Sequence, residues 1–264
     1  MKKIFVVCVV ILFLLMLPVN AEENQGVRIS NISSSSVVVS WIADEKCIGT
    51  VNYGITIDNL SLSETDNSLK ENCVIMVELI NLEANTTYYF EIVSGNILDN
   101  NNGLYYRFRT TEVGEISMPS RTLGGQVLLD NGENADGTMV YVTVEHDGIN
   151  STPLSYMVFN GYWGVDLANL KHENGTVFTE WEVNDALYIE MEGGKYGYKN
   201  VTTLITGEEY QNCTTPALKA LPELETPETK ANAGEYNRIL IFVFCIVLCL
   251  IMVMVYLLRR EKIG

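Results

Sequence analysis

Two patterns dominate residues 25–113: alternation of hydrophobic and polar residues, and short apolar runs. No stretch there has the spacing of an amphipathic helix. Alternation with a period of two puts one face of a strand on a core and the other face in solvent. The pattern predicts seven short strands, which is typical of a β-sandwich of this length. They cover residues 27–32, 37–41, 50–55, 61–63, 74–79, 87–94 and 104–111.

The segment around Tyr88 resembles the signature of fibronectin type III domains. Residues 82–88 read Leu-Glu-Ala-Asn-Thr-Thr-Tyr, similar to the family's Leu-x-Pro-x-Thr-x-Tyr, with Ala84 in place of Pro. The run VVVSW ends at Trp41, a large aromatic on an expected inner face. The segment is most similar to the domains that precede metallophosphatase modules and to archaeal surface versions. The resemblance implies a fibronectin type III-like sandwich over residues 25–113, in which the Tyr88 hydroxyl ties its strand to the preceding turn. A β-sandwich of another family is the alternative.

A second β pattern begins at Arg121. Residues 124–129 read Gly-Gly-Gln-Val-Leu-Leu, an Asp-Asn-Gly turn follows, and residues 135–143 resume the pattern. This order resembles the carboxypeptidase-regulatory, prealbumin-like family, with Asn134 where that family has Pro. The resemblance implies a compact second sandwich over residues 121–215. The predicted fold class is therefore all-β, with two tandem β-sandwich domains and one C-terminal transmembrane helix.

The N-terminal end has the features of a secretory leader. Lys2 and Lys3 precede an uncharged run over residues 4–17, and small residues follow it. This arrangement predicts a signal peptide over residues 1–21, cleaved after Ala21. An uncleaved N-terminal anchor is the alternative, although the run is shorter than the about 20 residues that a bilayer span needs.

The C-terminal end has the features of a membrane anchor. Residues 239–258 carry no charge and, at about 1.5 Å per residue, can cross the roughly 30 Å hydrocarbon core as a helix. The basic residues directly after this span predict that residues 259–264 form a cytoplasmic tail. Residues 216–238 contain Pro and several Glu and are expected to form an extended stalk. The expected location is the cell membrane, with a single span and the N-terminal ectodomain outside. A sorting signal that is removed when the chain is attached elsewhere is the alternative.

The acidic charge of the chain lies in the expected ectodomain. The whole sequence has a net charge of -16, and residues 22–238 carry 12 basic and 32 acidic groups, a net of -20. Such a surface excludes nucleic acid as a partner, because a phosphate backbone needs a basic surface. It also repels anionic lipid headgroups, which would hold the ectodomain away from the membrane. Cation binding is the functional alternative.

Signatures of catalysis are absent from the sequence. It has 2 histidines, no HExxH or GxSxG pattern, no Walker loop and none of the metal-ligand motifs of metallophosphatase modules. A pair of glycosidase carboxylates is not excluded by counting, but neither resembled family implies a catalytic cleft. We expect no enzyme activity and no cofactor.

The predicted function is therefore non-enzymatic. It is adhesion, envelope architecture, or presentation of a surface to an exterior protein or glycan. The alternative is an accessory or sensor subunit that binds carbohydrate, phosphate or Ca²⁺ for a separate membrane enzyme.

Three cysteines lie in the expected ectodomain, where an oxidising exterior permits disulfides. The fibronectin type III topology would place Cys47, in the B–C loop, and Cys73, at the start of strand E, at one pole. That placement predicts a Cys47–Cys73 disulfide and leaves Cys213 unpaired. Two unrelated buried thiols are the alternative.

Asn-X-Ser/Thr sequons are about twice as frequent in the expected ectodomain as chance predicts. This enrichment favours an N-glycosylating cell. The general abundance of Asn and Thr in a polar strand protein is the alternative explanation. The predicted glycosylation sites are Asn31, Asn59, Asn85, Asn150, Asn174, Asn200 and Asn212.

One acidic turn is a weak candidate for a metal site. Asp130, Glu133 and Asp136 could offer oxygen ligands to Ca²⁺. However, the turn lacks the pattern of an EF-hand loop, and Asn-Gly and Asp-Gly are ordinary hairpin residues. A structural turn is the favoured interpretation.

The predicted F–G loop is the candidate recognition surface. Strand G leaves the first sandwich at the pole that carries three of the sequons, so the opposite pole is expected to point outward. Its candidate binding residues are Asp99, Asn100, Asn101 and Asn102. A solvated turn, rich in residues that tolerate a left-handed backbone, is the alternative interpretation.

Overall fold

The computed structural model describes residues 26–113, 120–172 and 181–219. Within these ranges the fold is all-β, as predicted, with 16 strands and two 3₁₀ turns at Leu167–Asn169 and Gly194–Tyr196. None of the helical turns in the described ranges is long and apolar enough to cross a membrane. The predicted signal peptide, transmembrane helix and cytoplasmic tail, and the sequon at Asn174, lie outside the described residues.

Eight strands build the first sandwich. The order in one antiparallel sheet is β1-β2-β5, and the facing sheet has the order β4-β3-β6, with β7 and β8 both paired to the far side of β6. This division of strands between two sheets is a fibronectin type III-like fold. The strands are β1 (Arg28–Ser30), β2 (Val37–Ile42), β3 (Gly49–Gly54), β4 (Leu62–Asp66), β5 (Val74–Leu79), β6 (Thr87–Ser94), β7 (Ile97–Asp99) and β8 (Tyr106–Arg109).

The core of the first sandwich is aromatic. Trp41 is 2% exposed and donates its indole N–H to the Ser94 hydroxyl at 2.8 Å. The Tyr88 ring stacks on Phe108 at 5.5 Å between centroids. The Tyr88 hydroxyl accepts a hydrogen bond from the backbone N–H of Glu83 at 2.9 Å. The predicted tie between this strand and the preceding turn is therefore confirmed.

Eight further strands build the second sandwich. One sheet has the order β11-β10-β14-β15, with β12 also paired to β10, and the other has the order β13-β9-β16, in which β9 and β16 run parallel. The strands are β9 (Thr122–Gln126), β10 (Met139–His146), β11 (Ile149–Asn150), β12 (Leu154–Met157), β13 (Tyr162–Asp166), β14 (Ala186–Glu192), β15 (Tyr198–Leu204) and β16 (Tyr210–Asn212).

The Gly-Gly pair of β9 has a packing reason. A Cβ on Gly125 would lie 2.4 Å from the carbonyl oxygen of Cys213 and 3.0 Å from the indole nitrogen of Trp163. Only glycine lets the segment after β16 approach β9 this closely. Beyond β16, Leu218 is fully buried in the core, and its N–H donates to the carbonyl oxygen of Leu128 at 2.9 Å. The second sandwich thus continues into the first residues of the predicted stalk.

The two sandwiches pack face to face. β2 is buried from Val37 to Trp41, and β10 is buried from Met139 to Val142. Since alternate side chains of a strand point to opposite faces, both faces of each strand are covered. One face of each strand lies in its own core, and the other faces meet in a separate apolar cluster formed by Val38, Val74, Met139 and Tyr141, with Ile42, Met76 and Met157 beside it. The structure therefore has four sheet layers.

Candidate functional site at the junction of the two sandwiches

Arg28 is the central charged residue of the junction. Its guanidinium lies 3.7 Å from the centroid of the Tyr141 ring, forms a hydrogen-bonded ion pair with Glu190 and lies 3.7 Å from Glu192. Burial raises the pKa of Glu190, but hydrogen bonds from Arg28 and Tyr198 outweigh it and leave that pKa below its ordinary value. Arg28 thus carries a positive charge from the first sandwich into an acidic pocket of the second.

Tyr141 joins the polar and apolar parts of the junction. Its ring is 2% exposed, and its hydroxyl shares a 2.7 Å hydrogen bond with Ser40 of the first sandwich. Burial raises the pKa of Tyr141 to about 12, so the phenol stays protonated at neutral pH. A buried hydroxyl with a partner avoids the desolvation penalty that an unpaired one would carry.

Asn31 clamps one end of the junction. Its side-chain oxygen accepts from the backbone N–H of Ser155 at 2.8 Å, and its Nδ2 donates to the carbonyl oxygen of Ser155 at 2.9 Å. Its own N–H donates to the carbonyl oxygen of Pro153 at 3.1 Å. The hydroxyls of Ser30 and Ser155 share a further 2.7 Å bond. This predicted glycosylation site is therefore part of the contact between the sandwiches.

Asn72 forms a second polar contact of the junction. Its carbonyl oxygen accepts from the N–H of Lys195 at 3.0 Å, and a Cβ on Gly194 would lie 1.9 Å from that oxygen. Gly194 also has a φ of +56°, which glycine adopts without strain. The absence of a side chain at Gly194 therefore allows the backbones of the two sandwiches to come into contact.

A polar cleft of about 550 Å³ opens beside the Asn31 clamp. Its lining includes Ser33, Ser36, Asp166 and Lys171. The Ser33 hydroxyl is engaged by Ser36, and Asp166 accepts from Ser120, Arg121 and Ala168. Burial raises the pKa of Asp166, but the three hydrogen bonds to this carboxylate outweigh it and leave the pKa below its ordinary value. The cleft offers hydroxyls and charges for a small polar ligand, and neither histidine is among the residues that line it.

The candidate residues of the F–G loop hold a folded turn. Asp99 accepts from the N–H of Asn101 at 2.8 Å and from the Tyr106 hydroxyl at 2.9 Å, and Asn100 accepts from Gly103 at 2.9 Å. Asn101 and Asn102 have φ values of +55° and +56°. The short strand β7 lies in what was predicted to be open loop, since Ile97 pairs with Ser94.

The stacking changes the expected orientation of the poles. The second sandwich lies against the β1-β2-β5 face of the first, not beyond the pole where β8 ends. The position at which the chain leaves β8 therefore does not define an outward pole, as the sequence interpretation assumed.

The acidic turn is exposed and internally bonded. Asp136 accepts from the N–H of Gly161 at 2.7 Å, and Glu133 accepts from the Asn131 amide at 2.9 Å. Across the described ranges no group of three or more His, Cys, Asp or Glu is placed to hold a metal ion. Asp130, Glu133 and Asp136 are thus not brought together as ligands.

The predicted disulfide is not present in the structure. Cys47 and Cys73 are both free thiols, and the Cys73 sulfur lies 3.8 Å from the carbonyl oxygen of Glu71, to which it donates. Burial raises the pKa of Cys73, and burial together with a smaller contribution from Cys73 raises the pKa of Cys47. Cys213 is also a free thiol, and burial raises its pKa to about 11. All three thiols are therefore protonated at neutral pH.

His146 is held by a carboxylate. Its Nδ1 lies 2.8 Å from Asp185, and this hydrogen bond raises the pKa of His146. The His146 side chain is 18% exposed. When protonated, His146 thus forms a hydrogen-bonded ion pair with Asp185.

Sequence reasoning missed the junction residues. Arg28, Ser40 and Tyr141 carry no recognisable pattern of their own. The available signal was the unbroken apolar character of the β2 and β10 segments, VVVSW and MVYV, which indicates strands covered on both faces.

No family model matches this chain, and no curated protein matches it in sequence. Among solved structures it is similar to PhoD (15% identity, TM-score 0.31), covering 42% of this chain and 24% of that one. It is also similar to the chicken CNTN1 FN1-FN3 domains (14%, TM-score 0.25, covering 74% and 68%). A two-domain fibronectin type III segment of chicken tenascin matches at 10% identity and TM-score 0.24, covering 70% and 99%. The matched region thus spans about a quarter of the PhoD chain.

Proposed function

We propose that this chain is a non-enzymatic, single-pass cell-surface protein that presents two locked β-sandwiches for adhesion, envelope architecture or binding of an exterior protein or glycan. The observation that carries this proposal is the junction. Tandem domains move relative to one another unless their interface is extensive and well packed. Here a buried apolar cluster, the Arg28 ion pair and the Asn31 clamp join the two sandwiches. A rigid block can hold a binding surface at a fixed position.

Among the described residues, one sheet face of the first sandwich is open to such a partner. The outer face of β6 and β8 is not covered by the second sandwich and carries Tyr89, Arg107 and Arg109. Both arginines are exposed on a chain whose net charge is -16. Local positive charge on an acidic protein favours an acidic partner and steers its approach.

Two measurements test the proposal. Protease added to intact cells that make the full chain should degrade the ectodomain and leave a short membrane-bound fragment that carries a C-terminal tag. Proteoliposomes that carry the chain should then bind isolated envelopes of its own cells better than protein-free vesicles do. Protection of the ectodomain from protease would contradict the location, and equal binding by both vesicles would contradict the adhesive function.

The cleft beside Asn31 favours a second candidate, an accessory or sensor subunit that binds a small polar ligand such as a carbohydrate. A calorimetric titration of the full chain in detergent with simple glycans and with Ca²⁺ tests it. Binding abolished by Ser36→Val and Lys171→Met, two residues that line the cleft, would favour this candidate. An absence of heat with every ligand would remove it.

A further inference from the structure

Three predicted glycosylation sites lie inside strands at the edges of the second sandwich. Asn150 lies in β11, Asn200 in β15 and Asn212 in β16. In the described part of the chain β11 and β15 are the outer strands of one sheet, and β16 is an outer strand of the other. All three asparagines are exposed. The sequons therefore coincide with the places where a sheet presents unpaired backbone groups.

Such edges are a hazard for a β-protein. An open edge strand offers a row of unpaired N–H and C=O groups that can pair with a second chain. β15 is the longest of the three strands, with seven residues, and Leu204 at its end is 51% exposed. The middle of this strand carries Asn200.

Strand geometry presents the whole sequon at Asn200, because Asn200 and Thr202 both lie in β15. Residues two apart in a strand point to the same face, so the Asn and the Ser/Thr that a transferase must reach lie side by side. Asn200 and Thr202 are both exposed, and so are Asn212 and Thr214. The sequons at Asn200 and Asn212 are therefore accessible in the folded chain, whereas Thr152 of the Asn150 sequon is half-buried and donates its hydroxyl to the carbonyl oxygen of Lys171 at 3.1 Å.

Asn31 is the opposite case. Its Nδ2 donates to the carbonyl oxygen of Ser155 at 2.9 Å and lies 3.3 Å from the Ser155 hydroxyl. A sugar on this nitrogen would have to occupy the space of β12, which carries Ser155. Glycosylation at Asn31 is therefore incompatible with the junction.

We infer that the edge sequons at Asn200 and Asn212 are N-glycosylated, that their glycans prevent edge-to-edge pairing of two copies, and that Asn31 stays unmodified. The inference rests on the proposed extracellular location. The donor is an oligosaccharide linked through phosphate to a membrane lipid. The amide nitrogen bonds to the anomeric carbon, the bond from that carbon to the phosphate oxygen breaks, the lipid phosphate leaves and the amide loses one proton.

The first experiment maps occupancy. The full chain is made in a eukaryotic secretory pathway, and its glycopeptides are measured by mass spectrometry. Occupancy at Asn200 and Asn212 is expected to exceed that at Asn31 at least tenfold. Equal occupancy at Asn31 and Asn200, in chains that retain a cooperative unfolding transition, would overturn the assignment.

The second experiment measures self-association by sedimentation velocity of the full chain in detergent. Thr202→Val removes the sequon at Asn200, and Thr202→Ser keeps it as a matched control. Combined with Asn212→Gln, Thr202→Val should raise the average protein mass at least twofold, while Thr202→Ser alone leaves it unchanged. Enzymatic removal of glycans from the folded wild type provides a second arm that does not depend on folding of the variant.

The outcomes separate the two proposals. Deglycosylated protein that stays monomeric would overturn the role of the glycans. Bare edge sequons on an ectodomain that external protease can reach would overturn the modification and leave the surface function standing. Protection from protease together with bare sequons would overturn both.

Discussion

Replacing Arg28 with alanine tests whether the junction holds the two sandwiches together. The change removes the ion pair with Glu190 and the contact over the Tyr141 ring, and it leaves Glu190 and Glu192 as neighbouring carboxylates without their cation. The matched control is Arg107→Ala, because Arg107 is an exposed arginine on a β-strand away from the junction. Both variants lose the same charge, so a difference between them reports the junction.

The expected loss follows from the geometry. A hydrogen bond between charged groups contributes about 1.5 to 3 kcal/mol when buried. Here the side chains of Arg28 and Glu190 are 23% and 33% exposed, so solvent screening reduces this to about 1 kcal/mol. A cation over a buried ring adds about 1 kcal/mol. The free energy of unfolding should therefore fall by about 2 kcal/mol, which lowers the Tm of a domain pair of this size by about 4 to 8 °C.

Differential scanning calorimetry at pH 7 and pH 3.5 is the assay. Hydrogen bonds from Arg28 and Tyr198 hold the pKa of Glu190 below its ordinary value despite burial, so this carboxylate stabilises the fold above its unfolded pKa. That stabilisation is lost as the pH falls through the folded pKa. The difference between Arg28→Ala and wild type should thus be larger at pH 7 than at pH 3.5. If Arg28→Ala melts within 1 °C of Arg107→Ala at pH 7, the reasoning about the junction is refuted.

Three further changes test other parts of the fold. Tyr88→Phe removes the acceptor for the Glu83 N–H and should lower the free energy of unfolding, measured in urea, by about 1 kcal/mol; no change would contradict the role of the Tyr88–Glu83 hydrogen bond. Gly125→Ala forces a Cβ into a backbone oxygen at 2.4 Å and should lower the Tm by more than Gly164→Ala, whose nearest atom is at 3.5 Å; equal melting would contradict the packing argument. The carboxylate beside His146 raises its pKa, so its stabilisation is present below the unfolded pKa near 6.5 and is lost as the pH rises through the folded pKa. His146→Gln should therefore make the free energy of unfolding fall less steeply between pH 6 and 9. An unchanged slope would contradict a stabilising His146–Asp185 pair.

Local patterns predicted the local structure of the first sandwich. Alternation and short apolar runs identified the positions of the seven strands, and the signature ending in Tyr88 predicted the tie to the preceding turn, where the Tyr88 hydroxyl accepts from the Glu83 N–H. The short strand β7 was missed, because Asn and Gly residues on both sides of Ile97–Asp99 favour a turn. Those residues form the turns that bracket the strand.

The junction was not predictable in the same way, because its members are far apart in sequence. Arg28 meets Glu190 across 162 positions, and Ser40 meets Tyr141 across 101. The apolar run of β2 indicates that both of its faces are covered, but a single sequence does not identify the covering strand. Pairing of distant elements depends on the whole arrangement of sheets, which no window of residues contains.

The sequon at Asn31 illustrates the same separation between a local signal and its use. The triplet Asn-Ile-Ser has the same local pattern as Asn-Val-Thr at Asn200, yet the Asn31 amide is bonded within the junction and Asn200 is exposed on an edge strand. A glycan would replace one amide hydrogen of Asn31, whose Nδ2 contacts both the carbonyl oxygen and the hydroxyl of Ser155, and it would place the sugar against β12. We therefore expect a chain modified at Asn31 to dock its two sandwiches less stably than the unmodified chain does.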